Sequence, residues 1–237
     1  MSSSFVGRNE ASVMVVAGVD ACKNGWIAVV NRDGVFTAYV ISHIAELNVV
    51  VPDAQVVAID IPIGLLSEGI RTADLMGRDE LDTRRSTLFV VPVRSALEAM
   101  THHEATSISS EKSGVGISLQ SFSLKEKIFE VERWLPDSPC PVNEVHPELS
   151  FKEMDGTVVT PSKKTWAGMT VRRDKLFREQ ISLDGVSLEV GARCATDDML
   201  DAGAAVWSAT RILMKGARSI PAQPQRSPEG RDIAIWI

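Results

Sequence analysis

The chain has 237 residues, 44% of them hydrophobic and 24% charged, a balance that suits a folded globular protein and excludes a disordered or fibrous one. Its formal net charge of −6 excludes a globally basic nucleic-acid binder, although a local basic groove stays open because a polyanion meets the field along one surface. No apolar stretch approaches the roughly 20 residues that span a bilayer, and Cys22, Cys140 and Cys194 are odd in number and far apart in sequence, with none of the close pairs that mark zinc or redox motifs.

Residues 1–12 lack the apolar core of a signal peptide and read as a disordered leader, so a reducing, cytoplasmic setting is expected, with no membrane association. Residues 13–237 read as a single α/β domain with insertions. Three β-like segments come first, at 13–20, 26–31 and 35–41. The turn pairs Asn24-Gly25 and Asp33-Gly34 supply positive φ between them, which predicts an antiparallel meander. A short helix near Ile44 precedes a fourth strand, 55–59, whose unbroken apolar character fits burial on both faces.

Residues 61–115 read as an insertion, with a helix at 72–81, helical character at 95–103 and a flexible Ser/Gly-rich loop at 107–116. An amphipathic helix is expected at 117–135, ending before Pro136, and a short fifth strand near 140–145. A basic helical segment occupies about 150–195, with Lys163, Lys164, Arg172, Arg173, Lys175 and Arg178 on one helix. Thr196 is the expected N-cap of the last long helix, 197–215. A proline-bearing loop then returns to a terminal edge strand at 233–237.

Carboxylates recur where these elements end. Asp20 closes the first apolar run and Asp60 the fourth, and burying such charges is costly unless a cation compensates them. Each alone fits a turn-forming aspartate. In a β-β-β-α-β order, however, strands one and four can be neighbours, and adjacent carboxylates repel unless a cation lies between them. Asp198 and Asp201, three residues apart, share one helix face with Ala202, Ala205 and Ala209. Complementing the helix dipole accounts for Asp197 and partly for Asp198, but not for an acid one turn further in. Oxygen ligands of this kind suit Mg²⁺ or Mn²⁺. Paired ions of that type promote phosphodiester hydrolysis. Glu144 and Glu148, flanking His146, are candidates for a further ligand or proton-transfer group.

The segments Gly18-Val19-Asp20, Ala58-Ile59-Asp60 and Asp198-Met199-Leu200-Asp201-Ala202 resemble those of the RNase H-like superfamily. More closely, Gly18–Trp26, Ala58–Leu65, Glu144–Glu148 and the late Asp-rich helix are similar to domain-of-unknown-function family 429, described as predicted RNase H-like nucleases. The resemblance implies a central five-stranded mixed sheet in β-β-β-α-β-α-β-α order, flanked by helices. It implies Asp20, Asp60, Asp198 and Asp201 as metal ligands and catalytic residues; Glu144 joins the catalytic candidates from its place after the fifth strand. The stretch from Arg84 to Arg94 resembles a family segment reading Arg-x-Ser-x-Phe followed by prolines, with Val90 and Val91 standing where prolines are common.

The expected activity is that of a divalent-metal-dependent nuclease acting on a nucleic acid or nucleotide. Lys23, Arg84, Arg85 and Arg94 are candidates to line a groove that neutralises phosphates, whereas Phe89 and Trp166 read as core or cover residues. Two other readings stand beside this one: an actin-like ATP-dependent phosphotransferase, whose second glycine-rich phosphate loop is missing here, and a non-catalytic RNase H-like binding protein.

Overall fold

The computed structural model describes residues 13–237, so the expected leader at 1–12 lies outside the described residues. Strands β1 (Val15–Cys22), β2 (Gly25–Arg32) and β3 (Val35–Ile41) form the meander that the two Gly turns predict. A 3₁₀ turn and the short helix α1 (Leu47–Val50) lead into β4 (Val56–Ile59). Helices α2 (Thr72–Leu81), α3 (Arg94–Glu98) and α4 (His102–Ser113) occupy the stretch between β4 and the next pair, α5 (Leu119–Ser123) and α6 (Lys125–Trp134). Then follow β5 (Val142–Glu144), α7 (Pro147–Asp155), α8 (Trp166–Arg178), α9 (Leu188–Gly191), α10 (Thr196–Leu213), β6 (Ser219–Arg226) and β7 (Asp232–Trp236).

The sheet order is β3-β2-β1-β4-β5, with β1 antiparallel to β2 and parallel to β4, and β4 parallel to β5. This five-stranded mixed sheet flanked by helices agrees with an RNase H-like fold. Its two faces follow from the period-2 alternation of strand side chains. Val15, Ala17, Val19, Val57 and Ile59 join Ile128, Val131 and Trp134 of α6 in one core. Val16, Val56 and Ala58 join Ala202, Ala205, Val206 and Ala209 of α10 in the other. Small residues on α10 allow the helix to lie close over β1 and β4, and burying these apolar side chains supplies most of the packing free energy.

Several local expectations change. The segment 107–116 is mostly helix, because α4 runs to Ser113. Thr101 caps its start, accepting from the Glu104 amide, and Gly114 in the left-handed region ends it. Its serines bond within the helix, as Ser113 Oγ does to the Ser109 carbonyl at 2.7 Å. The cap of α10 is Ala195, not Thr196, and it makes no side-chain bond. The tail carrying Pro221 and Pro224 is strand β6, which pairs with β7 in a separate two-stranded ribbon, not at the edge of the main sheet. A ribbon edge tolerates proline because no ladder amide is needed there.

Candidate active site

Strand parity builds the site. The β1/β4 register pairs Gly18 with Ala58 and Val19 with Ile59. The Asp60 amide extends the ladder by donating to the Val19 carbonyl at 2.9 Å. One step further, Asp20 and Asp60 lie side by side on the face that carries Val16, Ala58 and α10. Asp20 is not at the strand end, since β1 continues to Cys22 and Asp20 pairs with Ile27 of β2. From above, α10 directs Asp201, only 1% exposed, at the same point. From the first turn of α7 comes Glu148, also buried.

These groups line a cleft of about 440 Å³ together with Asp198, His146, Arg84, Ser162, Lys163 and Lys164. Lys163, from the segment between α7 and α8, donates to Asp201 Oδ2, and its Nζ lies 3.8 Å from Asp197 Oδ2. Lys164 pairs with Asp197 at 2.6 Å. Glu148 Oε1 accepts from Arg172 Nη2 at 2.5 Å, and Arg172 is fully buried. Two buried carboxylate oxygens, Asp201 Oδ1 and Glu148 Oε2, have no hydrogen-bond partner.

The electrostatics record this crowding. Burial, then Asp60 and Asp201, push the Asp20 carboxyl well above the usual carboxylate range. Burial pushes Asp60 up to about 7 against the pull of Lys163, with Glu148 adding to the rise. Asp201 reaches about 7 for the same first reason, although Lys163 lies beside it. At the rim, burial and the adjacent Asp197 raise Asp198. Burial works against the charge of Lys163, but Asp201, Asp20 and Asp60 outweigh it and hold the ammonium protonated. His146 is pushed down to about 4 by burial and is neutral at physiological pH.

Of the sequence candidates, Asp20, Asp60, Glu148, Asp198, Asp201 and Arg84 line the cleft, and Glu144, Lys23, Arg85 and Arg94 do not. Glu144 is corrected by parity: it pairs with Ile59, so it shares the opposite sheet face from Asp60. There Arg71 Nη2 contacts both its oxygens at 2.6 Å, and the Ile63 amide donates to Oε2 at 2.7 Å. Lys23 is exposed in the β1–β2 turn. Arg85 pairs with Asp79, and Arg94 is committed to Glu132, Glu229 and Glu98. The basic helix contributes less than its charge suggests, because Arg172 is spent on Glu148 and Lys175 on Asp155. Trp166 is 80% exposed and is not a cover residue, while Phe89 packs against the core.

Sequence reasoning missed Lys163 as a site residue, and it named Glu144 among the catalytic candidates while leaving open which of Glu144 and Glu148 enters the site. The β4/β5 register that separates the two glutamates is set by tertiary pairing and is not visible in the sequence. No local signal marks Lys163, whose partner Asp201 lies 38 residues on.

A match to the family described as Protein of unknown function (DUF429) spans residues 18–226. The chain belongs to this family. The DUF429 match covers β1 to β6 and so contains every residue named in the cleft. Comparison with curated proteins and with solved structures gives no match.

The donors of this DUF429 cleft fit a hard divalent ion in chemistry, being carboxylate oxygens of which two are buried without partners. Among the described residues, no three Asp, Glu, His or Cys groups stand together as a ready-made ion cluster. The cation that sits against Asp201 is the Lys163 ammonium.

Proposed function

We propose that this protein is a divalent-metal-dependent phosphodiester hydrolase of the nuclease type, acting on a nucleic acid or nucleotide. One observation carries the reading: Asp20, Asp60, Glu148 and Asp201, from four separate elements, meet in one cleft. Asp20, Asp60 and Asp201 would hold Mg²⁺ or Mn²⁺, with Asp198 at the rim. Such an ion supplies Lewis-acid stabilisation and lowers the pKa of a bound water.

The chain's own groups divide the remaining work. Glu148 Oε2, free of partners while Oε1 is held by Arg172, is placed to accept a proton in the cleft. Arg84 and Lys164 line the mouth and supply positive charge for phosphate oxygens. His146, kept neutral by burial, shapes the floor without adding charge.

No helix among the described residues is long and apolar enough to cross a membrane. The unpaired Cys22, Cys140 and Cys194 support a reducing, cytoplasmic setting.

The test compares wild type with Asp60→Asn for Mn²⁺ binding by calorimetry and for cleavage of single- and double-stranded DNA and RNA. The variant is expected to keep its fold and lose metal-dependent cleavage by about 100-fold or more. Undiminished cleavage would overturn the assignment, and tight ATP binding with phosphate transfer would favour the phosphotransferase reading.

A further inference from the structure

Lys163 is fixed in place more firmly than a lysine on an irregular segment usually is. The Thr165 amide donates to the Ser162 carbonyl at 2.9 Å, and Thr165 Oγ1 donates to the same carbonyl at 2.8 Å. Thr165 also caps α8 by accepting from the Gly168 amide at 3.1 Å. The Pro161 carbonyl accepts from Arg172 Nη1 at 3.1 Å. The same guanidinium, through Nη2, holds Glu148. One buried arginine thus sets both the free oxygen of Glu148 and the backbone that delivers Lys163 to Asp201.

Four inner carboxylates, Asp20, Asp60, Glu148 and Asp201, face two fixed cations, Arg172 and Lys163. We infer that Lys163 is a built-in cation occupying the position beside Asp201 Oδ2 where a second metal would otherwise bind, so that the cleft takes a single divalent ion, held by Asp20, Asp60 and the remaining oxygen of Asp201. This rests on the metal-dependent reading above. The lysine takes one of the two oxygens of Asp201 and leaves Oδ1 without a partner. A point charge on a flexible stem suits this role, since ammonium donates along any of three directions while remaining strongly attracted to carboxylates.

The experiment counts ions. The full chain is titrated with Mn²⁺ by calorimetry and bound Mn²⁺ is counted by electron paramagnetic resonance, for wild type, Lys163→Met and Lys163→Arg. One ion per chain is expected in wild type and in Lys163→Arg, and two in Lys163→Met. Two ions in wild type, or one ion of wild-type affinity in Lys163→Met, would overturn the inference while leaving the metal-dependent reading standing. No ion in any of the three would overturn both. If Lys163→Met is unfolded by circular dichroism without metal, recovery of the native spectrum on adding Mn²⁺ supports the exchange of one cation for another. Failure to recover, with Lys163→Arg folded, overturns it.

Discussion

An ideal Cβ placed on Gly18 would fall 1.9 Å from the Val206 amide nitrogen, so β1 and α10 touch backbone to backbone at this position. That approach, two residues before Asp20 and one turn beyond Asp201, sets how near the two carboxylates come. Gly18→Ala should destabilise the protein by about 3 kcal/mol or more, since helix backbone cannot yield as a side chain can. Urea denaturation measures the loss, and Mn²⁺ affinity measured on the folded fraction should fall with it. A variant of unchanged stability would show that the approach is slack.

The two glutamates flanking His146 should separate cleanly. Glu148→Gln keeps an acceptor for Arg172 yet removes the free carboxylate oxygen, and should cut cleavage by about 100-fold. Glu144→Gln lies on the other sheet face and should leave cleavage close to wild type. Equal losses in steady-state assays would contradict the parity argument.

Arg71 is 1% exposed and shared between Glu144 at 2.6 Å and Asp74 at 3.5 Å. Removing a buried partner strands the remaining charges in low dielectric. Arg71→Met should therefore cost about 3–5 kcal/mol in chemical denaturation. It should also raise the Glu144 carboxyl further above its already elevated value of about 7, which burial sets against the pull of Arg71. Carbon-detected NMR titration of the side-chain carboxyl reads that shift.

Asp155 gives the acid dependence. Burial raises its pKa, but hydrogen bonds from Lys175 and Thr157 outweigh that and bring it down to about 2. A carboxyl depressed in the folded state binds fewer protons there than in the unfolded chain. Its stabilisation is thus fully present above about pH 4 and lost as pH falls through about 2. Solvent reaches this carboxylate, so the contribution is about 1 kcal/mol. Asp155→Asn should flatten that part of the stability–pH curve, read by thermal melts between pH 5 and 2.

Turn chemistry and apolar runs made the meander, α2 and the fourth strand legible, because Asn24-Gly25 and Asp33-Gly34 specify their turns locally. Asp201 was legible as an inward acid from helical spacing alone. The segment forming α4 was not, because its buried face holds only small residues such as Ala105 and Ser109, and periodicity has little to register. Prolines hid β6, since a ribbon edge asks nothing of the amides they lack. Lys163 and Arg172 were visible only as positive charge. Whether a cation faces solvent or a buried carboxylate is settled by tertiary packing between residues far apart in sequence.

Because Asp20, Asp60, Glu148 and Asp201 are drawn from nearly the whole length of the chain, no fragment carries a working cleft. A polypeptide still emerging from the ribosome lacks Asp201 until α10 has cleared the exit tunnel. The four carboxylates therefore come together only once β1, β4, α7 and α10 have all been made.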